Sequence, residues 1–324
     1  MTVLEKEQLQ FLIKQMKGPL FYAKILLFGE YGIIKDSKGL AIPYNVYQGA
    51  LKKSKVLTEA AKKSNGNLKK FYVYLSKLET QDLVSFRLDE FKADIESGMY
   101  FDSSIPQGYG VGSSGALVAS IYDKYANDKI TVLDNLTREK LLKLKSIFSL
   151  MESFFHGKSS GLDPLNSYLS IPILINSKDN LEATGIPSQK EGKGAVFLLD
   201  SEIIGETAPM ITIFMNKMKN EGFRKMLNED FAKHTDACIE DFLNGNAKSL
   251  FGNVKLLSKV VLDNFKPMIP KAFHKIWKNG IESNAYYLKL CGSGGGGYIL
   301  GFTEDYDQAK ILLKEYKLEL VYRF

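Results

Sequence analysis

The stretch Pro106-Gln-Gly-Tyr-Gly-Val-Gly-Ser-Ser-Gly115 decides how this 324-residue sequence is interpreted. Its glycines let a backbone turn tightly and approach a ligand closely, and the apolar residues of 116–125 follow at helical spacing. The stretch therefore predicts a glycine-rich loop that leads directly into a helix. A helix start offers unpaired N–H groups and the positive end of a dipole, which suit a phosphate group. The alternative is a flexible loop in which Ser113 only caps the helix.

A second helix is expected after this one, beginning near Thr137 and ending at Gly157. Glu152 lies on a polar face of that helix, which is either a solvated surface or part of a site. The segment Ser159-Ser160-Gly-Leu-Asp163-Pro164 then brings an acid back near the end of the helix. Asp163 either caps a turn or accepts a proton from a substrate hydroxyl.

A lysine interrupts the apolar segment FYAKILLF at 21–28, which predicts a strand. Lys24 falls on the same strand face as Tyr22, Leu26 and Phe28. A lysine on an apolar face needs a charged partner or a route to solvent. It is therefore either a surface lysine or a cation that pairs with an aspartate and stabilises charge on a phosphoryl group in transfer.

A second glycine-rich run, Gly292-Ser-Gly-Gly-Gly-Gly297, lies between segments at 286–290 and 298–302 that predict strands. The run matches G-x-G-x-x-G formally, but a strand follows it where a dinucleotide-binding fold requires a helix. Ordering so many glycines costs backbone entropy. Either contact with a ligand or packing on the first loop offsets that cost, or the run is a mobile hairpin loop.

The composition limits the class of protein. Apolar residues make up 45% and charged residues 25% of the chain, as in soluble globular proteins. The net charge of +6 is modest, which favours an anionic ligand and does not indicate nucleic acid. Two cysteines exclude a disulfide framework, and no apolar stretch is long enough for a membrane helix. We expect a cytoplasmic protein that contacts neither nucleic acid nor a membrane.

The order of strand-like and helix-like segments predicts an α+β protein of two domains. The polar stretch 176–194 is the best linker, so the boundary falls between domains 1–188 and 189–324. The remaining segments are expected to be helix at 4–16, strand at 71–75 (FYVYL), several helices within 208–280, helix at 305–316 and strand at 318–324.

Taken in order, three motifs resemble those of the GHMP small-molecule kinases, and within them the mevalonate kinase family. They are KILLFGEY at 24–31, the glycine-rich loop with its two serines at 106–114, and CGSGGGG at 291–297. The spacing from Glu152 to Asp163 (ESFFHGKSSGLD) also agrees with the mevalonate kinase pattern. The motifs fall near the start, middle and end of the chain, so the resemblance covers most of it.

The resemblance implies a two-domain α+β GHMP kinase fold, with an N-terminal domain of the ribosomal-protein type and a ferredoxin-like C-terminal domain. It implies ATP and Mg²⁺ as cofactors, with ATP and substrate in the cleft between the domains. Asp163 would be the catalytic base and Lys24 its charged neighbour, while Ser114 and Glu152 would hold Mg²⁺. The residues expected at the nucleotide are Pro106, Gly108, Gly110, Gly112, Ser113, Ser114, Gly294 and Gly295. The residues expected at the substrate are Glu30, Tyr31 and Thr207.

The implied reaction is ATP-dependent phosphorylation of the primary hydroxyl of mevalonate, a step of isoprenoid biosynthesis. Two departures leave other acceptors open: Tyr31 replaces the histidine usual in mevalonate kinases, and Gly115 stands where alanine is commoner. Both features also resemble phosphomevalonate kinases, and Lys35, Lys38 and Lys158 are available for an extra phosphate. A sugar kinase of the same fold is a further alternative. The expected partner is a small-molecule alcohol, and a homodimer is left open.

A protein of another class would also fit the glycine-rich loops, namely an inactive relative that senses a nucleotide or metabolite. The joint presence of Lys24, Glu152 and Asp163 argues against it, because a pure binding protein does not need the base.

Overall fold

The computed structural model describes residues 19–35, 37–78, 83–131 and 135–324. The helix expected at 4–16 lies outside these residues. The strands are β1 (Phe21–Phe28), β2 (Gly39–Lys53), β3 (Met99–Ser103), β4 (Ile173–Ser177), β5 (Asn180–Ala183), β6 (Ala195–Asp200), β7 (Tyr287–Leu290), β8 (Tyr298–Thr303) and β9 (Leu318–Arg323). The helices are α1 (Glu59–Leu75), α2 (Leu88–Glu96), α3 (Ser113–Tyr125), α4 (Arg138–His156), α5 (Leu162–Leu169), α6 (Thr207–Lys217), α7 (Glu221–Met226), α8 (Ala232–Leu243), α9 (Ala247–Asn264), α10 (Phe273–Ser283) and α11 (Tyr306–Leu312).

The chain folds into two compact units, each built from separate segments. The first unit contains the described residues of 1–24, 43–105 and 112–170. The second unit contains those of 25–42, 106–111 and 171–324. The boundary between 188 and 189 stays a prediction. The linker expected at 176–194 is wrong in part, because residues 180–183 form β5 and pair with β4.

The first unit combines a strand pair with helices. Its part of β2 pairs with β3 in antiparallel register, from Gly49 opposite Ser103 to Lys53 opposite Met99. The strand expected at 71–75 is wrong, since these residues are the end of α1. Their aromatic and β-branched side chains favour a strand locally, but burial of Phe71 and Leu75 one helical turn apart decides for a helix.

The boundaries of α3 and α4 confirm the two helices expected in this unit. Gly112, in the left-handed conformation, immediately precedes α3. Thr137 accepts a hydrogen bond from the Lys140 N–H at the start of α4, and Gly157 ends that helix with φ 73°. Hydroxyl caps at helix starts and glycine at helix ends are signals that act locally, which explains why the sequence shows them.

The second unit is organised around a four-stranded antiparallel sheet with the strand order β7-β8-β6-β9. The register of β6 and β8 runs from Ala195 opposite Thr303 to Asp200 opposite Tyr298. The expected strands at 286–290, 298–302 and 318–324 and the helices within 208–280 are therefore confirmed, with small changes at their ends. The helix expected at 305–316 is shorter and ends at Leu312.

The early part of β2 pairs with β4 from Gly39 opposite Ile175 to Ala41 opposite Ile173, within the second unit. None of the helices in the described part of the chain is both long and apolar enough to cross a membrane.

A buried carboxylate holds three elements of the first unit together. Asp94 on α2 accepts a hydrogen bond from the Tyr125 hydroxyl at 2.6 Å, and Lys124 Nζ lies 2.6 Å from the same oxygen. Lys53 of β2 pairs with the other oxygen. Burial raises the pKa of Asp94, but the hydrogen bonds from Lys124, Lys53 and Tyr125 outweigh burial and lower the pKa from 3.8 to about 2.

We expect Asp94→Asn to lower the free energy of unfolding at pH 7 by about 2 kcal/mol, because holding that pKa near 2 is worth about this much. The folded pKa lies below the unfolded value, so this stability is present above about pH 4 and is lost as the pH falls towards 2. Urea unfolding of both proteins at several pH values measures the difference, which should shrink on acidification. Asp102→Asn, at the exposed pair with Lys52, is the matched control and should cost less than about 0.5 kcal/mol.

Candidate active site

A buried lysine and a partly exposed aspartate form an ion pair in the first unit. Lys24 of β1 is 5% exposed, and its Nζ lies 2.8 Å from Asp163 Oδ1. Asp163 stands in the first turn of α5, after Gly161 in the left-handed conformation, and its side chain is 36% exposed. Of the two alternatives for Lys24, pairing with an aspartate is therefore the one present. The aspartate has one oxygen held by the lysine and remains accessible to a ligand.

The end of the first glycine-rich loop passes beside this ion pair. Gly112 has φ 80°, and a β-carbon added there would lie 3.0 Å from Lys24 Cγ and 3.7 Å from Asp163 Oδ2. Only glycine combines this backbone conformation with such a close approach. Because Ser113 and Ser114 open α3 directly after it, the N–H groups of the helix start lie next to Lys24 and Asp163.

The second expected cluster of the first unit is also present. Ser114 Oγ donates a hydrogen bond to Glu152 Oε1 at 3.0 Å, and Ser159 Oγ donates one to Oε2 at 2.5 Å. Glu152 is only 3% exposed. Burial and the charge of Asp163 raise the pKa of Glu152 to about 7, against the lowering effect of both serines and Lys24.

Ser159 is a member of this cluster that the sequence interpretation missed. Its hydroxyl also accepts a hydrogen bond from the Gly161 N–H at 3.0 Å, so it links Glu152 to the turn that precedes Asp163. The only signal in the sequence is its position in that turn, where a serine is unremarkable.

The oxygen atoms of Ser114 and Glu152 suit a magnesium ion. Mg²⁺ prefers oxygen ligands and commonly takes one or two carboxylates, with phosphate oxygens and water completing its shell. A cation beside Glu152 would also offset the cost of burying a negative charge, which the raised pKa reflects. The donor set therefore fits Mg²⁺. Among the residues described, no group of three or more His, Cys, Asp or Glu residues is arranged to hold a metal.

The second unit places two of the expected substrate residues in its interior. Glu30 Oε1 lies 2.5 Å from Lys289 Nζ, and both side chains are at most 4% exposed. Tyr31 donates a hydrogen bond from its hydroxyl to the Ser293 carbonyl oxygen at 2.6 Å. Burial, together with the charge of Glu30, raises the pKa of the Tyr31 hydroxyl. Lys289 was not expected from the sequence, although a lysine within the strand segment YYLKL is an unusual residue at a buried position.

The two glycine-rich segments of the second unit pack on each other. A β-carbon added at Gly110 would lie 2.5 Å from the carbonyl oxygen of Cys291, and Tyr298 N–H donates to the Tyr109 carbonyl at 3.3 Å. The N–H of Gly295 donates to the Met268 carbonyl at 2.7 Å. Packing on the first loop is thus the alternative that the structure supports for 292–297, and it offsets the entropy of ordering this run.

The remaining expected residues lie at the margins of these segments. Pro106 opens the loop, and the Gly108 carbonyl accepts a hydrogen bond from the Gly205 N–H at 3.0 Å. Thr207 is exposed at the start of α6, with its hydroxyl 3.4 Å from Ser293 Oγ. Contacts of Gly294, Gly295, Thr207 and the other expected residues with a ligand stay predictions.

No family model matches this sequence, and no curated protein matches it either. Solved structures match the fold over most of the chain, and they include mevalonate kinases, a phosphomevalonate kinase and a galactokinase. The chain therefore has an α+β fold like that of these GHMP kinases, the fold that its three motifs predict.

Three of these structures show the extent of the likeness. The L. major mevalonate kinase in complex with R-mevalonate matches with a TM-score of 0.58 and 17% identity, over 91% of this chain and 89% of that one. The Streptococcus pneumoniae phosphomevalonate kinase in complex with phosphomevalonate and AMPPNP matches with 0.61 and 13%, over 94% and 98%. The Lactococcus lactis galactokinase complexed with galactose matches with 0.57 and 11%, over 99% and 98%. These TM-scores show that the fold is shared. At identities this low, the match does not identify the phosphate acceptor.

We expect Lys289→Met to lower the free energy of unfolding by about 3–5 kcal/mol, because it leaves the Glu30 carboxylate buried without its partner. The double variant Glu30→Gln/Lys289→Met should recover part of this loss, since neither charge is then buried. Urea unfolding of the three proteins measures both effects. Lys278→Met, at an exposed pair with Glu282, serves as the control and should change stability by less than about 0.5 kcal/mol. A double variant no more stable than Lys289→Met would contradict this account of the pair.

Proposed function

We propose that the protein is an ATP-dependent small-molecule kinase that transfers the γ-phosphoryl group of ATP to the primary hydroxyl of mevalonate. The observation that carries the proposal is the arrangement within the first unit: the Lys24–Asp163 pair lies directly beside Gly112 and the start of α3. A helix start that can bind phosphate and an accessible carboxylate held by a cation are the parts that phosphoryl transfer requires.

Asp163 acts as the general base in this proposal. Its partly exposed carboxylate accepts the proton of the acceptor hydroxyl, while the ion pair with Lys24 fixes its orientation. Lys24 cannot turn away to solvent, because it is buried on the strand. Its charge therefore also stabilises the negative charge that develops during transfer.

In this proposal the N–H groups at the start of α3 and Ser113 bind the phosphates of the nucleotide, and the glycines of 106–112 are further expected contacts. Ser114 and Glu152 would hold Mg²⁺, which supplies neutralisation of the phosphate charge when it is bound. Ser159 keeps the Glu152 carboxylate oriented through its hydrogen bond. Most of the rate enhancement then comes from positioning and electrostatics.

Mevalonate is the proposed acceptor because the spacing from Glu152 to Asp163 agrees with the mevalonate kinase pattern. Support also comes from the fold match to a mevalonate kinase in complex with R-mevalonate. A phosphomevalonate kinase and a galactokinase match the fold equally well. A coupled assay of ADP formation with mevalonate, phosphomevalonate and galactose distinguishes the three acceptors. Turnover with phosphomevalonate or galactose alone would overturn the acceptor, and no turnover with any of them would favour a sensor.

We expect Asp163→Asn and Lys24→Met each to reduce kcat by about 10²-fold or more, since general base catalysis and electrostatic stabilisation each contribute about that factor. Binding of AMPPNP, measured by isothermal titration calorimetry, should change little because neither side chain is assigned to the nucleotide. Asp102→Asn removes an equally charged but remote carboxylate and should leave kcat unchanged. Turnover near the wild-type level in either site variant would refute the roles of these two residues.

Ser159→Ala should raise the Mg²⁺ concentration for half-maximal activity by roughly 10-fold, the lower end of the effect of losing a hydrogen bond to a metal ligand. The KM for mevalonate should stay constant. Ser160→Ala is the matched control, because the Ser160 hydroxyl accepts a hydrogen bond from the Leu162 N–H at 3.4 Å and is not the partner of Glu152 in the bond described above. Titration of activity with MgCl₂ gives the constants. Equal shifts in both serine variants would show that Ser159 has no particular influence on the metal site.

A further inference from the structure

The side chain of Tyr31 packs in the interior of the second unit. Its side chain is 6% exposed, and its ring stacks on Phe214 with 4.6 Å between centroids. Its hydroxyl donates to the carbonyl oxygen of Ser293 at 2.6 Å. The ring is therefore covered, and the side chain's hydroxyl already donates to a backbone oxygen of the second glycine-rich run, 292–297.

The backbone at Tyr31 is held in an uncommon conformation. Its φ is 62°, in the left-handed region that a residue with a bulky side chain rarely adopts. Such a conformation persists where the surroundings determine it. Here the neighbouring Glu30 is fixed by the buried pair with Lys289, and the Tyr31 carbonyl accepts the Ile34 N–H at 3.1 Å. The turn after β1 is thus rigid, and it presents the Tyr31 hydroxyl in one direction.

The run at 292–297 links Tyr31 to the first glycine-rich loop, because it contacts both. Ser293 accepts the Tyr31 hydrogen bond, and its own hydroxyl lies 3.4 Å from Thr207 Oγ1. The two residues that precede it contact Gly110: the Cys291 carbonyl oxygen and the Gly292 nitrogen lie 2.5 Å and 3.5 Å from a β-carbon added there. Movement of Ser293 would therefore displace the surface on which 106–110 rests.

We propose that Tyr31 is a positioning residue for the nucleotide-binding glycine loops and makes no contact with the phosphate acceptor. The resemblance of GEY at 29–31 to other GHMP kinases implies a substrate contact instead, so the two assignments differ in what the hydroxyl does. The proposal rests on the proposed function, because it assumes that 106–112 and 292–297 bind ATP.

Tyr31→Phe tests the proposal, since it keeps the ring between its aromatic neighbours and removes only the hydroxyl. We expect the Kd of AMPPNP to rise about 3- to 10-fold, as for loss of one neutral hydrogen bond. The KM for mevalonate should stay within about twofold of wild type. Hydrogen–deuterium exchange of the ligand-free protein should become faster at the amides of 292–297, a change that is independent of catalysis.

Tyr322→Phe is the matched control. Tyr322 is a buried tyrosine of the same unit whose hydroxyl donates to the Pro187 carbonyl at 2.8 Å, away from the glycine loops. It should alter neither AMPPNP binding nor exchange at 292–297. If both variants weakened AMPPNP binding equally, the cause would be a general loss of stability of the unit, and the proposal would be overturned.

Two other results would decide between Tyr31 as a positioning residue and the alternatives. A rise in the KM for mevalonate with an unchanged Kd of AMPPNP would place the Tyr31 hydroxyl at the acceptor and overturn the proposal. Wild-type protein that binds no AMPPNP would refute the proposed function instead. In that case faster exchange at 292–297 in Tyr31→Phe would still support the role of Tyr31 in holding this run.

Discussion

The candidate active site depends on one electrostatic constraint, the need of the buried Lys24 ammonium for a partner. A charge on an apolar strand face is too costly to remain uncompensated, and Asp163 is the carboxylate that compensates it. This pairing fixes the start of α5 against β1 within the first unit. It also leaves only enough space for the backbone of Gly112, so the same contact sets where the glycine loop ends and α3 begins.

Local signals made much of this arrangement predictable. The glycines and serines at 106–114 announce a loop and a helix start, and Thr137 and Gly157 mark the two ends of α4. A lysine on an apolar strand face needs a counter-charge or a route to solvent, so a carboxylate partner for Lys24 was one of two expected outcomes. Each of these inferences depends either on interactions between residues that are close in sequence or on the chemistry of a single residue, such as the charge of a lysine.

The parts that the sequence could not supply depend on contacts between distant segments. The segment at 71–75 has strand-forming side chains, yet its burial pattern within the first unit makes it helical. Lys289 and Glu30 are 259 residues apart, and nothing near either of them in the sequence indicates their pairing. Tyr31 shows the same limit for function, because a motif reports which residue is present but not whether its side chain faces a ligand or the interior.

The interlocking of the two glycine loops has a consequence for how such a protein can diverge. Gly110 has no room for a side chain because the Cys291 carbonyl fills that space. The shape of each loop therefore limits the shape of the other. A substitution that alters the backbone of one loop requires a compensating substitution in the other. The two segments are therefore expected to evolve together, although about 180 residues separate them in the chain.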